Sequence, residues 1–123
     1  MDKQQLHGRY EPFVVEALEV LWGKSRERAG GTMNLLMAHL LDTAAVAELL
    51  WDDFLAGSTK STLDEMAGGP EHGRRLFSWL CGVHDCGKAT PVHQRLWAEG
   101  AEAVGRSGLT WDERSAVAGA KSN

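Results

Sequence analysis

An all-α fold follows from three features of this 123-residue sequence. Apolar residues recur at helical spacing in several segments. No stretch alternates apolar and polar residues convincingly, and glycine, proline and capping residues fall between the apolar runs. The expected architecture is a compact bundle of about five helices forming a single domain over 1–123, with a polar N-terminal tail at 1–9.

The first helix is expected over Tyr10 to Trp22, where Phe13, Val14, Ala17, Leu18, Leu21 and Trp22 share a face and Glu11, Glu16 and Glu19 lie elsewhere. Residues 23–31 (GKSRERAGG) read as a charged, glycine-ended connection. A second helix should start near Thr32 as N-cap and reach about Phe54. It is apolar around most of its circumference, which places it centrally in the bundle. Residues 56–70 read as a loop with at most a helical turn at 62–67. Pro70 suits the start of a third helix through Leu76, Phe77, Trp79, Leu80 and Val83, with Gly87 as its positive-φ C-terminal residue. Thr90-Pro91 then reads as N-cap and first position of a fourth helix, running to about Ala103 with Gly100 weakening its end. Gly105 to Gly108 should turn, and Thr110 to Glu113 has the spacing of a capping box for a last helix that frays over 118–123.

Composition sets limits on function. The 13 basic and 17 acidic side chains give a formal charge of −4, with no basic tail or arm, so a nucleic-acid binder held by bulk charge is disfavoured. Basicity is local. Arg74, Arg75, Lys88 and Arg95 surround Asp85, the one acid between positions 72 and 95, and could draw in a phosphate-bearing substrate. Cys81 and Cys86 form neither a C-x-x-C pair nor a secreted framework, which predicts reduced thiols in a cytoplasmic protein. The polar start lacks a signal-peptide core, and the longest apolar stretch, Met33 to Trp51, carries His39, Asp42 and Glu48. It reads as a core helix, with no membrane span.

The chemistry centres on His84-Asp85, followed by Gly87-Lys88, and on the isolated His39 upstream. Adjacent imidazole and carboxylate groups can ligate one metal ion whose other ligands come from other helices. That suits a metal-activated water and phosphodiester hydrolysis better than structural zinc. Blander readings stand beside it. His39 shares a helical face with Leu35, Leu36, Thr43 and Val46, where histidine more often packs than binds. Asp42, three residues on, could orient it. Asp85 could pair with Lys88 or Arg95 while His84 packs.

Gly82 to Lys88 also fits the G-x-x-x-x-G-K spine of a phosphate-binding loop. Ala89 stands where Ser or Thr belongs, however, and a helix precedes it where a strand is needed, so this reading is disfavoured. His93 reads as a solvated surface residue; His72 and His7 carry no argument. The tryptophans at 22, 51, 79, 97 and 111 fall one per helix, a core pattern more than a base-stacking platform.

Taken together, Leu21-Trp22-Gly23-Lys24-Ser25, the stretch His39 to Ala47, and His84-Asp85-Cys86-Gly87-Lys88-Ala89-Thr90-Pro91 with Gln94 resemble the N-terminal HD nuclease domain of Cas3 from type I CRISPR interference systems. The resemblance covers roughly residues 15–97. It implies a helical, metal-dependent nuclease acting on single-stranded DNA for antiviral defence, beside a superfamily-2 helicase and recruited by the Cascade surveillance complex. His39, His84 and Asp85 match metal ligands, with Asp85 bridging two ions. Asp85 and Lys88 match catalytic positions, the lysine neutralising phosphate charge. Up to two divalent ions of nickel, cobalt, manganese or iron suit such mixed ligation.

His93 departs from the family's usual aromatic. The family's later histidines and final aspartate have no counterpart after His93, since Asp112 comes too early. The resemblance therefore implies a front portion of the HD domain, truncated, with an incomplete site, so that enzymatic activity depends on the site being completed. Three functions stay open on the sequence: an HD-type nuclease, a non-catalytic binding or regulatory partner of CRISPR machinery, and a small HD nucleotide phosphohydrolase that could complete its site across a homo-oligomer.

Overall fold

The computed structural model describes residues 11–112 and Arg114. Six α-helices, one 3₁₀ turn and one two-stranded hairpin make up the regular structure among them, so the all-α expectation holds with a minor addition. The chain divides into two compact units, one formed by residues up to Met37 with those from Gly87 onward, the other by Ala38–Cys86.

In the first unit, α1 spans Pro12–Val20, with Pro12 at its first position, and buries Val15. The expected helix over 10–22 stops short. Leu21 turns extended, and Trp22–Lys24 forms strand β1, antiparallel to Asn34–Leu35, strand β2, with Trp22 opposite Leu35. Trp22 leaves the helix because its backbone and indole find partners elsewhere, all on Gln94. The connection over 25–31 is a turn inside this hairpin. The Ser25 carbonyl accepts Ala29 N–H and the Arg26 carbonyl accepts Gly31 N–H, while Gly30 and Gly31 adopt φ of 74° and 105°, a region glycine enters without steric cost. Thr32 is therefore not a helix cap.

Helix α2 runs Leu36–Asp53 and carries the chain from the first unit into the second. Its apolar circumference is only partly covered: Ala47 and Trp51 are buried, whereas Leu41, Leu49 and Phe54 are 62%, 63% and 81% exposed. The expectation of a fully central helix is corrected to that extent. Residues 57–66, expected as loop, form helix α3, Gly57–Met66. Its Ser/Thr-rich start has no side-chain cap, so the local signal was weak, and tertiary links stabilise it instead. Asp64 Oδ1 accepts Gly73 N–H at 2.7 Å, and Lys60 Nζ lies 5.9 Å from the Trp51 ring.

Helix α4 spans Gly73–Val83, starting three residues later than Pro70 suggests. The turn before it uses positive φ at Gly68, Gly69 and Glu71. Against α2, α4 packs closely: a Cβ at Gly82 would stand 3.1 Å from the Ala44 Cβ, and Ser78 Oγ donates to the Ala44 carbonyl at 3.1 Å. Arg74 spans the same pair of helices, donating to Asp52 at 3.0 Å and to Glu48 at 3.1 Å.

Back in the first unit, Gly87 lies in a 3₁₀ turn over Cys86–Ala89 and does not adopt positive φ, correcting its expected role. Thr90-Pro91 does begin a helix, α5, but it ends at Gln94. Trp97 breaks the chain with extended dihedrals, and α6 follows over Ala98–Arg106. Gly100 is no weak point. It is buried, and a Cβ there would collide with the Trp22 ring.

The expected turn at 105–108 begins after Arg106, with Gly108 at φ 86°. Thr110 to Asp112 are non-helical, Arg114 is helical, and the rest of the expected last helix, like the tail at 1–9, lies outside the described residues. Cys81 and Cys86 are free thiols. Among the described residues no helix is long and apolar enough to cross a membrane.

Gln94 organises the first unit. It is 1% exposed, and its amide accepts Trp22 N–H through Oε1 and donates through Nε2 to the Trp22 and Lys88 carbonyls at 2.9 and 2.8 Å. The Trp22 indole N–H returns a bond to the Gln94 carbonyl at 3.1 Å. One buried amide thus satisfies the strand, the 3₁₀ turn and itself.

Candidate metal centre

Three side chains of the second unit meet at the end of α4. His39 lies in the first turn of α2 and His84 caps α4; Asp85 follows at the corner. One ligand atom from each of His39, His84 and Asp85 lies within 4.8 Å of the other two. His39 Nε2 is 2.8 Å from Asp85 Oδ2, a hydrogen bond when that nitrogen carries the proton, and His84 Nε2 is 3.1 Å from the same oxygen. Donor atoms about 2.1 Å from a common ion and at right angles are about 3.0 Å from each other. Both separations match such an edge.

The ring of His84 carries the more telling observation. Its Nδ1 is 2.6 Å from the Cys81 carbonyl, which can only accept, so Nδ1 bears the hydrogen. In the neutral ring Nε2 is then a bare lone pair, facing a carboxylate oxygen at 3.1 Å. Two acceptors so placed repel unless a cation, either a second proton on the ring or a metal ion, joins them. The backbone bond that fixes the tautomer is also how proteins aim a histidine ligand at a metal. The residues present therefore fit a divalent cation.

Local structure explains the convergence. Carbonyls in the last turn of a helix lack intrahelical partners, and the Cys81 carbonyl uses this vacancy to take both the backbone and ring N–H of His84. The close approach at Gly82 brings the end of α4 against α2 where His39 stands, and the Leu40 carbonyl lies 3.6 Å from where a Gly82 Cβ would be. His39 is nearly enclosed, its side chain 13% exposed, while Asp85 is 23% and His84 47% exposed. The cluster is therefore open to solvent on the His84 side.

Every proposed ligand of the sequence reading is in this cluster. Asp42, considered as a partner for His39, is exposed, and Asp85 fills that role. Lys88 belongs to the other unit, where its ammonium donates to the Gly23 carbonyl at 3.4 Å. His93 is not a solvated surface residue: it is half-buried, and its ring lies tilted against Trp22 with centroids 4.5 Å apart. Nor do the tryptophans fall one per helix, since Trp22 is in a strand and Trp97 between helices, and Trp79 is 62% exposed. The phosphate-binding-loop reading fails because Gly82 sits inside α4 with no strand before it. The orienting Cys81 carbonyl was missed; its signal was its place three residues before His84 at a helix end.

Comparison with known proteins agrees with this geometry. The family described as "Cas3, HD domain" matches residues 22–122. The CRISPR-associated endonuclease/helicase Cas3 of Thermus thermophilus is 44% identical over 103 residues, covering 81% of this chain and 10% of that protein. The CRISPR-associated nuclease/helicase Cas3 of Streptococcus thermophilus is 35% identical over 81 residues, covering 62% of this chain and 9% of that protein. The chain thus spans about a tenth of the length of the curated relatives it matches. No solved structure matches it. With the family match covering most of the sequence and the histidine–aspartate cluster in place, the chain belongs to the Cas3 HD-domain family.

Proposed function

We propose that this chain supplies the His39, His84 and Asp85 ligands of a metal-dependent nuclease centre that hydrolyses phosphodiester bonds in single-stranded DNA, as part of CRISPR interference in the cytoplasm. The observation that carries the proposal is the convergence of one ligand atom each from His39, His84 and Asp85 within 4.8 Å, with His84 Nδ1 held 2.6 Å from the Cys81 carbonyl and its Nε2 3.1 Å from Asp85. Mixed imidazole and carboxylate ligation suits manganese, iron, cobalt or nickel. When bound, such an ion lowers the pKa of a water and polarises the scissile phosphate.

The residues divide the remaining work. Asp85, between two imidazoles, contributes the negative charge that makes the cluster selective for cations. His39 is held in a nearly closed wall and sets the position of Asp85. His84, half exposed, borders the side from which a strand and water arrive. Lys88 is assigned the neutralisation of phosphate charge on the same DNA, on the strength of its motif. A superfamily-2 helicase is a proposed partner because the relatives combine nuclease and helicase in one protein, and the Cascade complex is proposed from the family resemblance alone.

Among the described residues three protein ligand atoms converge, enough for one ion and not by themselves for a second, so slow cleavage is expected. Circular single-stranded DNA incubated with the protein and manganese, cobalt or nickel tests the reading. Slow linearisation, stopped by chelator and by Asp85→Ala, is expected. Cleavage that persists undiminished in Asp85→Ala, or no cleavage and no retained metal under any of these ions, contradicts it.

A further inference from the structure

The first unit contains a cavity of about 590 Å³ with a cationic rim and an aromatic wall. The half-buried rings of His93 and Trp97 form the wall, backed by Trp22, which is itself only 5% exposed, and Lys24, Arg28 and Lys88 bring three cations to the edge. The aromatic rings brace each other: Trp22 packs edge-on against Trp97 at 5.5 Å and is tilted against His93 at 4.5 Å. Trp22 is locked by Gln94, so this wall exists before any ligand arrives. We infer that this cavity is a nucleotide-binding subsite, the cations taking a phosphate and the aromatic wall taking the base of a nucleoside phosphate.

Size, charge and surface chemistry point the same way. The volume falls in the roughly 300–1,000 Å³ range of small-molecule pockets. An anionic group is favoured because the one carboxylate of the lining, Glu27, is committed to its own loop. That carboxyl is held below its usual range by hydrogen bonds from its backbone N–H and the Ser25 hydroxyl, and then by Arg26. The hairpin turn supplies the cations from a short arc of chain, Lys24 and Arg28, while Lys88 comes from the 3₁₀ turn and is positioned by the Gly23 carbonyl. Cations beside aromatic side chains on which bases can stack are the combination that binds single-stranded nucleic acid without sequence preference. An inorganic anion would use the rim alone and gain nothing from the half-buried His93 and Trp97 rings. That the nucleotide belongs to a DNA strand rests on the nuclease reading; a free nucleotide has the same chemistry and is separated from it by the test.

The test measures binding in the presence of chelator, where no cleavage occurs, so that the metal cluster does not enter. Fluorescence anisotropy of a labelled eight-residue oligothymidylate is compared with an abasic strand of equal length, and thymidine monophosphate and inorganic phosphate are used as competitors. Lys24 and Arg28 are both exposed, so the double variant Lys24→Glu/Arg28→Glu should keep the fold, checked by an unchanged thermal melt. Expected are about tenfold weaker oligothymidylate binding in the double variant, with a shallower salt dependence by about 0.7 per cation lost, and weaker binding of the abasic strand to the unaltered protein. Competition by thymidine monophosphate at the oligomer's own affinity supports the cavity and assigns it to free nucleotides. Equal binding of abasic and normal strands, competition by inorganic phosphate alone, or an unchanged affinity in the double variant overturns the inference. A protein that cleaves DNA yet shows no dependence on Lys24 and Arg28 would overturn this subsite and leave the nuclease reading standing.

Discussion

Asp85 Oδ2 lies 2.8 Å from His39 Nε2, across 46 residues of sequence, and both side chains are largely shielded from water. The contact fixes the position of α2 relative to the end of α4 and at the same time prepares two ligand atoms for one ion. Structural and functional demands therefore fall on the same pair. In metal-free protein His39→Ala leaves the Asp85 carboxylate with one imidazole instead of two, and the loss should be about 1–3 kcal/mol, typical of a hydrogen bond to a charged group. Urea unfolding with chelator present measures it. A variant as stable as the parent would mean that the pair holds nothing together without metal.

Gln94 should be among the least replaceable residues outside that cluster. Gln94→Leu keeps the volume approximately but strips the partner from Trp22 N–H, the Trp22 carbonyl and the Lys88 carbonyl. Groups left buried and unpaired cost about 1–3 kcal/mol each, so a loss of at least about 2–4 kcal/mol is expected in chemical denaturation. A loss under 1 kcal/mol would show that water replaces the amide.

Two glycines of α6 should respond with opposite sign. At Gly100 an added Cβ collides with the Trp22 and Trp97 rings, and Gly100→Ala should destabilise by about 1–3 kcal/mol. At Gly105 nothing lies within 4 Å, so Gly105→Ala should gain up to about 1 kcal/mol from helix propensity. Thermal melts of the two variants side by side decide it. Shifts of the same sign would contradict the packing described for α6.

Acid should erase the contribution of Arg74. Its hydrogen bonds to Asp52 hold that carboxyl below the usual range, with the nearby charge of Arg74 adding to the effect. The folded value lies under the unfolded one, so the stabilisation is complete above the ordinary carboxylate range and disappears as pH falls through the lowered value. Arg74→Ala should therefore be less stable than the parent at pH 7 and match it in strong acid. Because these groups are exposed, the difference should also shrink in high salt. A difference that grows on acidification would contradict the pairing.

Much of the site was legible in the sequence because its signals are local. His84-Asp85 at the end of an apolar run, Gly87-Lys88 behind it and His39 on a helical face are visible without coordinates, as is the Thr90-Pro91 helix start. What was not legible depends on partners distant in sequence. Trp22 reads as helical until Gln94, 72 residues on, is seen to take both its backbone groups. Helix α3 has little local propensity and relies on Asp64 meeting Gly73 and on Lys60 beside Trp51. Gly100 reads as a helix weakness, and only the Trp22 ring beside it shows that the missing side chain is a packing requirement.

Manganese binding followed by electron paramagnetic resonance examines the histidine–aspartate cluster most directly, since the free ion's signal falls as the protein takes it up. One ion per chain is expected, with affinity reduced by roughly 100-fold or more in both Asp85→Ala and His39→Ala, beyond the 10–100-fold typical of changes in groups that only orient a ligand. Uptake that is absent in the parent protein, or equal in the parent and both variants, would contradict a metal centre at these three residues.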